Sequence, residues 1–160
     1  MVIAAISRIP NEFSHLASAR SMAEHVLEST TRTAEIGRAR TALALLAAAR
    51  SDDSLAKEQY AIMEPRRGTM VFWAISADRL LGLLTQTMDQ LDQAVAHFED
   101  ALIFCRKAGY RPELAWSCHD YADTLFQRSD PGDREKAVSM LDESLAISTE
   151  LGMRPLMECP

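Results

Sequence analysis

Between residues 91 and 107 the apolar positions fall at Leu91, Ala94, Val95, Phe98, Ala101, Leu102 and Cys105. Steps of three and four residues place them on one stripe of an α-helix. A second stripe follows at Ala137, Val138, Leu141, Leu145 and Leu151. Ala94 and Ala137 lie 43 residues apart, and so do Gly109 and Gly152, each of which opens a Gly-x-Arg-Pro quartet. Helix and terminator therefore recur together as one unit.

The quartets have a physical reading. Glycine takes the left-handed conformation that closes a helix without a Cβ penalty. A proline is accommodated at the first helical position, which predicts that Pro112 and Pro155 begin the next helices. The residue before a proline is disfavoured in the helical region, so Arg111 and Arg154 are expected in the link. Links this short force neighbouring helices to pack antiparallel.

Other segments fill in the pattern. Leu114, Cys118, Tyr121, Ala122 and Leu125 give one helix face, broken by Ser129–Asp133, where Pro131 and Gly132 make the turn and Asp133 is the expected N-cap. Residues 73–86 form a helix with its turn at 87–92, and the one β-leaning triplet, Val71, Phe72 and Trp73, is expected to be absorbed into it. Upstream, residues 34–50 and 55–64 form a pair joined by Ser51–Ser54. Residues 11–29, after Pro10, make an additional N-terminal helix. The expectation is an all-α fold of about seven helices and no strand. It divides into an N-terminal cap over 1–32, helix pairs over 33–68, 70–109 and 112–152, and a truncated segment over 153–160.

The fine pattern resembles the tetratricopeptide repeat. Leu81-Gly82 is followed by Ala94, Phe98 and Ala101 in that family's spacing, Tyr121-Ala122 by Ala137, Leu141 and Ser144, and Leu43-Ala44 by Ala56, Tyr60 and Met63. Small residues at 44, 82, 122, 56, 94 and 137 let paired helices approach, and Tyr60, Phe98 and Leu141 fill the space between pairs. The successive large residues stand 38 and 43 residues apart, against about 34 in the standard repeat. Ala47, Thr85 and Leu125 replace the first-helix aromatic. The resemblance spans roughly Thr33 to Gly152 and implies a right-handed solenoid. More narrowly, the stretches around "AVAHFEDAL", "AGYRPELAW" and "DPGDREKA" resemble the repeat region of bacterial regulators of the adenylate/guanylate-cyclase or LuxR type. No P-loop, cyclase segment or DNA-reading helix accompanies them. That kinship implies an interaction module working in signalling or transcription regulation.

Composition narrows the function. The chain has 160 residues, 17 basic and 23 acidic, for a net charge of −6. An acidic domain gains no counterion-release drive on DNA or RNA, so nucleic acid is not an expected direct partner. The longest apolar run, 42–49, is too short for a membrane span. The N-terminus does not read as a signal peptide. Three cysteines (Cys105, Cys118 and Cys159) with no metal-like spacing indicate a reducing, cytoplasmic compartment. Neither cofactor nor metal is expected.

Chemistry-bearing residues are few. His119, Asp120 and Asp123 could form a general base with its orienter, or a surface i, i+4 pair. His97 with Cys105, and Cys118 with His119, are candidate Cys/His combinations, but no CxxC or HxxxH supports a site. Without a nucleophile, no catalytic residue is assigned. In a solenoid the first helix of each pair lines a concave face. That puts Arg38, Thr41, Arg79, Gln86, Trp116, His119, Asp123 and Gln127 in a groove, with Trp116 alternatively buried between pairs. Leu151, Met153, Leu156 and Met157 form an apolar C-terminal end that either meets a partner, including a second copy in a homodimer, or folds back as a cap. The leading expectation is a non-catalytic scaffold for a protein or peptide partner. The alternative is a sensor domain whose groove takes a small ligand.

Overall fold

The computed structural model describes residues 13–71 and 75–157, with side chains from residue 17 onward. Within them lie eight α-helices: α1 (Phe13–Ser29), α2 (Thr33–Arg50), α3 (Asp53–Met63), α4 (Ala77–Thr87), α5 (Leu91–Ala108), α6 (Arg111–Arg128), α7 (Asp133–Leu151) and α8 (Arg154–Met157). The eighth is the single turn that follows the second quartet. Successive helices pack antiparallel, α2 on α3, α4 on α5 and α6 on α7, with α1 against α2 and α8 against α7. First helices also touch one another, α2 with α4 and α4 with α6.

The helix ends explain the short links. Gly109 and Gly152 have φ of 74° and 64°, as the quartets require, and Ser51 takes the same left-handed conformation at 52°. Beyond each, an amide reaches back five residues: Tyr110 N–H to Cys105 O at 3.0 Å, Met153 N–H to Ser148 O at 2.8 Å, Asp52 N–H to Ala47 O at 2.9 Å. This closure satisfies carbonyls that the helix leaves without partners.

Several expectations need correction. Arg111 and Arg154, not the prolines after them, are the first residues of α6 and α8. Proline tolerates the second position equally well, because no intrahelical donor is needed until the fourth amide. Asp133 is likewise the first residue of α7, with Gly132 as N-cap. Its carboxylate instead accepts the Asp130 amide at 3.0 Å and two Arg128 N–H groups, at 2.7 and 2.9 Å, across the turn. A helix does not absorb Val71. Met70–Val71 pairs antiparallel with Ile75–Ser76 in a minimal hairpin, and α4 starts at Ala77; Phe72 and Trp73 lie outside the described residues. The β-branched residues at 71 and 75 suit the extended ladder, and the Gly68 turn, at φ 69°, ends the preceding 3₁₀ turn (Glu64–Arg66).

One continuous core runs through α5, α6 and α7, built on Phe98, Leu102, Tyr121 and Leu125. Phe98 lies against α4 and stacks on Tyr121 of α6 with ring centroids 5.8 Å apart. Gly82 makes room for it: a Cβ there would stand 2.8 Å from the Phe98 ring. A second cluster, including Leu55, Met63, Val71, Leu80 and Leu84, ties the hairpin and α4 to α2 and α3. Val138, Leu145 and Leu151 of the second stripe are exposed rather than core. α7 packs chiefly on α6 and on the four-residue α8, so among the described residues no full helix lies against its far face.

Candidate functional site

The first turn of α4 delivers Arg79 to the junction with α6. Arg79 Nε donates to Asp120 Oδ2 at 2.7 Å and Nη1 to Glu113 Oε2 at 3.1 Å. The second Glu113 oxygen accepts the Ser76 amide at 2.8 Å, which fixes the end of the hairpin. Arg79, Glu113 and Asp120 are 4%, 4% and 1% exposed. A bidentate guanidinium suits two carboxylates seven residues apart on one helix face. The cluster carries one surplus negative charge. Burial, opposed by Arg79, pushes the Glu113 carboxyl up to about 7. Burial works against the charge on Arg79, but Asp120 and Glu113 outweigh it and hold the guanidinium protonated.

Trp116 covers this cluster from the solvent side. The Arg79 guanidinium carbon lies 5.5 Å from its ring centroid, within cation–π range. The His119 ring sits 6.4 Å from Trp116, and its Nδ1 is 3.8 Å from both Asp120 Oδ1 and Asp123 Oδ2. Trp116 and His119 are partly buried, while Asp123 and Gln127 one and two turns beyond are exposed. These four form one ribbon along α6. On the neighbouring first helices, Gln86 is half-buried and Arg38 exposed. Thr41 is buried, and its hydroxyl donates to Gly37 O at 2.8 Å. Arg79 and Thr41 thus spend their polar atoms on contacts within the chain.

At the C-terminal end, Leu156 is buried and Met153 packs on the main core, whereas Leu151 and Met157 are each 42% exposed. Sequence reasoning passed over Glu113 and Asp78. The seven-residue spacing of Glu113 and Asp120 on one face was the available signal for the first.

Burial pushes the Cys105 thiol up to about 11 and the Cys118 thiol up to about 12, so neither is a nucleophile near neutral pH. Among the described residues two groups have the donors for a metal ion, His119–Asp120–Asp123 and Asp78–His97–Asp100. No described helix is long and apolar enough to cross a membrane.

No curated protein and no solved structure matches the chain. Residues 73–150, the stretch holding the Arg79 cluster, the α6 ribbon and the Gly82–Phe98 contact, match the family model for the tetratricopeptide repeat.

Proposed function

We propose that the chain is a non-catalytic scaffold that binds a protein or peptide segment across its layer of first helices. Tetratricopeptide repeats generally bind protein partners. The observation that carries the reading is the α6 ribbon: an aromatic, an imidazole and two polar side chains, Trp116, His119, Asp123 and Gln127, presented at one-turn intervals beside a rigid buried ion cluster. Aromatic anchors on pre-ordered backbones lose little freedom on binding, and such residues dominate interface energies. Gln86 and Arg38 extend the surface onto α4 and α2. The sequence likeness to bacterial regulators extends the reading to cytoplasmic signalling or transcription control. Leu151 and Met157 are then a second contact, open to another copy of the chain.

The test is affinity capture from the source cell with wild-type, Trp116→Ala and Asp123→Arg proteins. Specific partners should be lost from both variants, at a cost of about 2 kcal/mol or more for the tryptophan. The thermal midpoint of Asp123→Arg, at an exposed position, should hold. Identical capture by all three would remove the ribbon as the binding surface.

A further inference from the structure

Asp78 and Arg79 are neighbours in sequence, yet they serve different surroundings. Arg79 is saturated by α6; Asp78 faces the Gly68 turn and α5. One Asp78 oxygen, Oδ2, accepts the Gly68 amide at 2.7 Å. The other, Oδ1, is buried and accepts no hydrogen bond. Its nearest cation is Arg67 Nε at 3.9 Å, beyond hydrogen-bond reach. His97, 3% exposed, lies on α5. Its Nε2 is 3.1 Å from Tyr60 Oη, which also receives Gln93 Nε2 at 2.6 Å, while its Nδ1 is buried with no partner. Asp100, one turn further along α5, accepts Arg67 Nη2 at 2.7 Å. One ring nitrogen of His97 and one oxygen of each carboxylate lie within 4.8 Å of one another.

We infer that Asp78, His97 and Asp100 form a binding site for a divalent transition-metal ion of the zinc class. Two of the three donors are more than nine-tenths buried, and each retains an atom that no described residue satisfies. A buried polar atom without a partner is costly, and one compact cation meets both at once. The guanidinium of Arg67 serves Asp100 and stops short of the other two. Its half-exposed side chain is free to withdraw. Outer contacts that orient metal ligands are in place. The Gly68 amide fixes the Asp78 carboxylate. With a metal ion on Nδ1, Nε2–H would donate to Tyr60 Oη, so the 3.1 Å Tyr60–His97 contact holds the ring in the tautomer the site needs. One imidazole and two carboxylates suit zinc, cobalt or manganese, whereas magnesium and calcium prefer oxygen alone. Burial holds Asp78 above the usual carboxylate range and His97 below the usual imidazole range. A bound dication favours ionised Asp78 and neutral His97, and it ties the hairpin, α4 and α5 at one point.

Cobalt(II) titration of the whole chain, followed by visible absorption and calorimetry with zinc(II) as competitor, tests this. One ion per chain should bind, and saturating zinc should raise the thermal midpoint. Asp100→Asn, at a half-exposed position that leaves the core intact, should weaken binding at least about tenfold, and His97→Gln should do the same. His119→Ala should leave the affinity unchanged. A wild-type chain that takes up neither ion overturns the site, since a water molecule would then satisfy both buried atoms. Binding that survives Asp100→Asn but disappears with His119→Ala overturns it in favour of the α6 cluster.

Discussion

Val95 and Leu102 of α5 and Val138 and Leu145 of α7 occupy equivalent register positions, yet the first two are 8% and 4% exposed and the second two 48% and 55%. The side chains are the same in both cases, so the difference lies in what covers them. α6 lies across α5 and brings Leu114, Tyr121 and Leu125 onto it. α7 receives the four-residue α8, which covers it with little more than Leu156 and Met153. The large residue between each pair follows suit: Phe98 is fully buried, Leu141 partly so. Burial in this architecture is therefore set by the neighbouring pair, as expected where each repeat unit contacts only its neighbours.

The comparison can be broken first at its centre. Phe98→Ala should cost about 3–5 kcal/mol and Leu141→Ala less than about 2 kcal/mol, measured by urea unfolding. Equal losses would mean that α7 is covered as well as α5. At the flanks, Leu102→Ala should cost about 2–4 kcal/mol. Leu145→Ala should stay within about 0.5 kcal/mol, as at ordinary surface sites. The link glycines test the opposite case, positions where the two units agree. Gly109→Val and Gly152→Val should each lose about 1–2 kcal/mol by the same left-handed strain, and a clear inequality would show that one link relaxes.

Gly82→Ala sharpens the contrast further. The methyl group meets the Phe98 ring, and overpacking of about 1–3 kcal/mol outweighs the helix-propensity gain of about 1 kcal/mol. Adding Phe98→Leu recreates the third unit's own pairing of Ala122 with Leu141. The double variant should lose less than the two single losses combined, and strict additivity would separate the two positions.

The smallest change is one proton, at the α4–α6 junction. Glu113 titrates near 7 when folded and at the ordinary carboxylate value when unfolded. Its contribution to stability is full below the unfolded value, falls as pH rises toward about 7, and is constant above. Wild-type protein should therefore lose more stability between about pH 5 and pH 8 than Glu113→Gln does. Parallel curves would show Glu113 ionised throughout.

The periodic features were legible in the sequence because they depend on local geometry. The stripes, the two terminators and the Gly82–Phe98 match each follow from helix spacing and steric size. The hairpin was not, since Met70–Val71 and Ile75–Ser76 are two-residue strands whose ladder is stabilised by contacts with α2 and α4. Nor was the exposure of Val138 and Leu145, which carry the same letters as their buried counterparts. Arg79 was placed on the first-helix layer, but its burial depends on Glu113 and Asp120, more than thirty residues away. The Asp78–His97–Asp100 group joins residues from two helices and gives no motif that a single segment could display.

The links of two to four residues between α4, α5, α6 and α7 also govern how the molecule comes apart. Among the described residues each helix packs chiefly on helices one or two places away in the chain, so the main contacts do not tie one end to the other. Pulled by its ends, such a chain has no single clamp whose rupture releases everything. It should peel in steps from its least covered end, with α7 and α8 leaving first and the Phe98–Tyr121 layer resisting longest, so that extension curves show small successive yields instead of one large break.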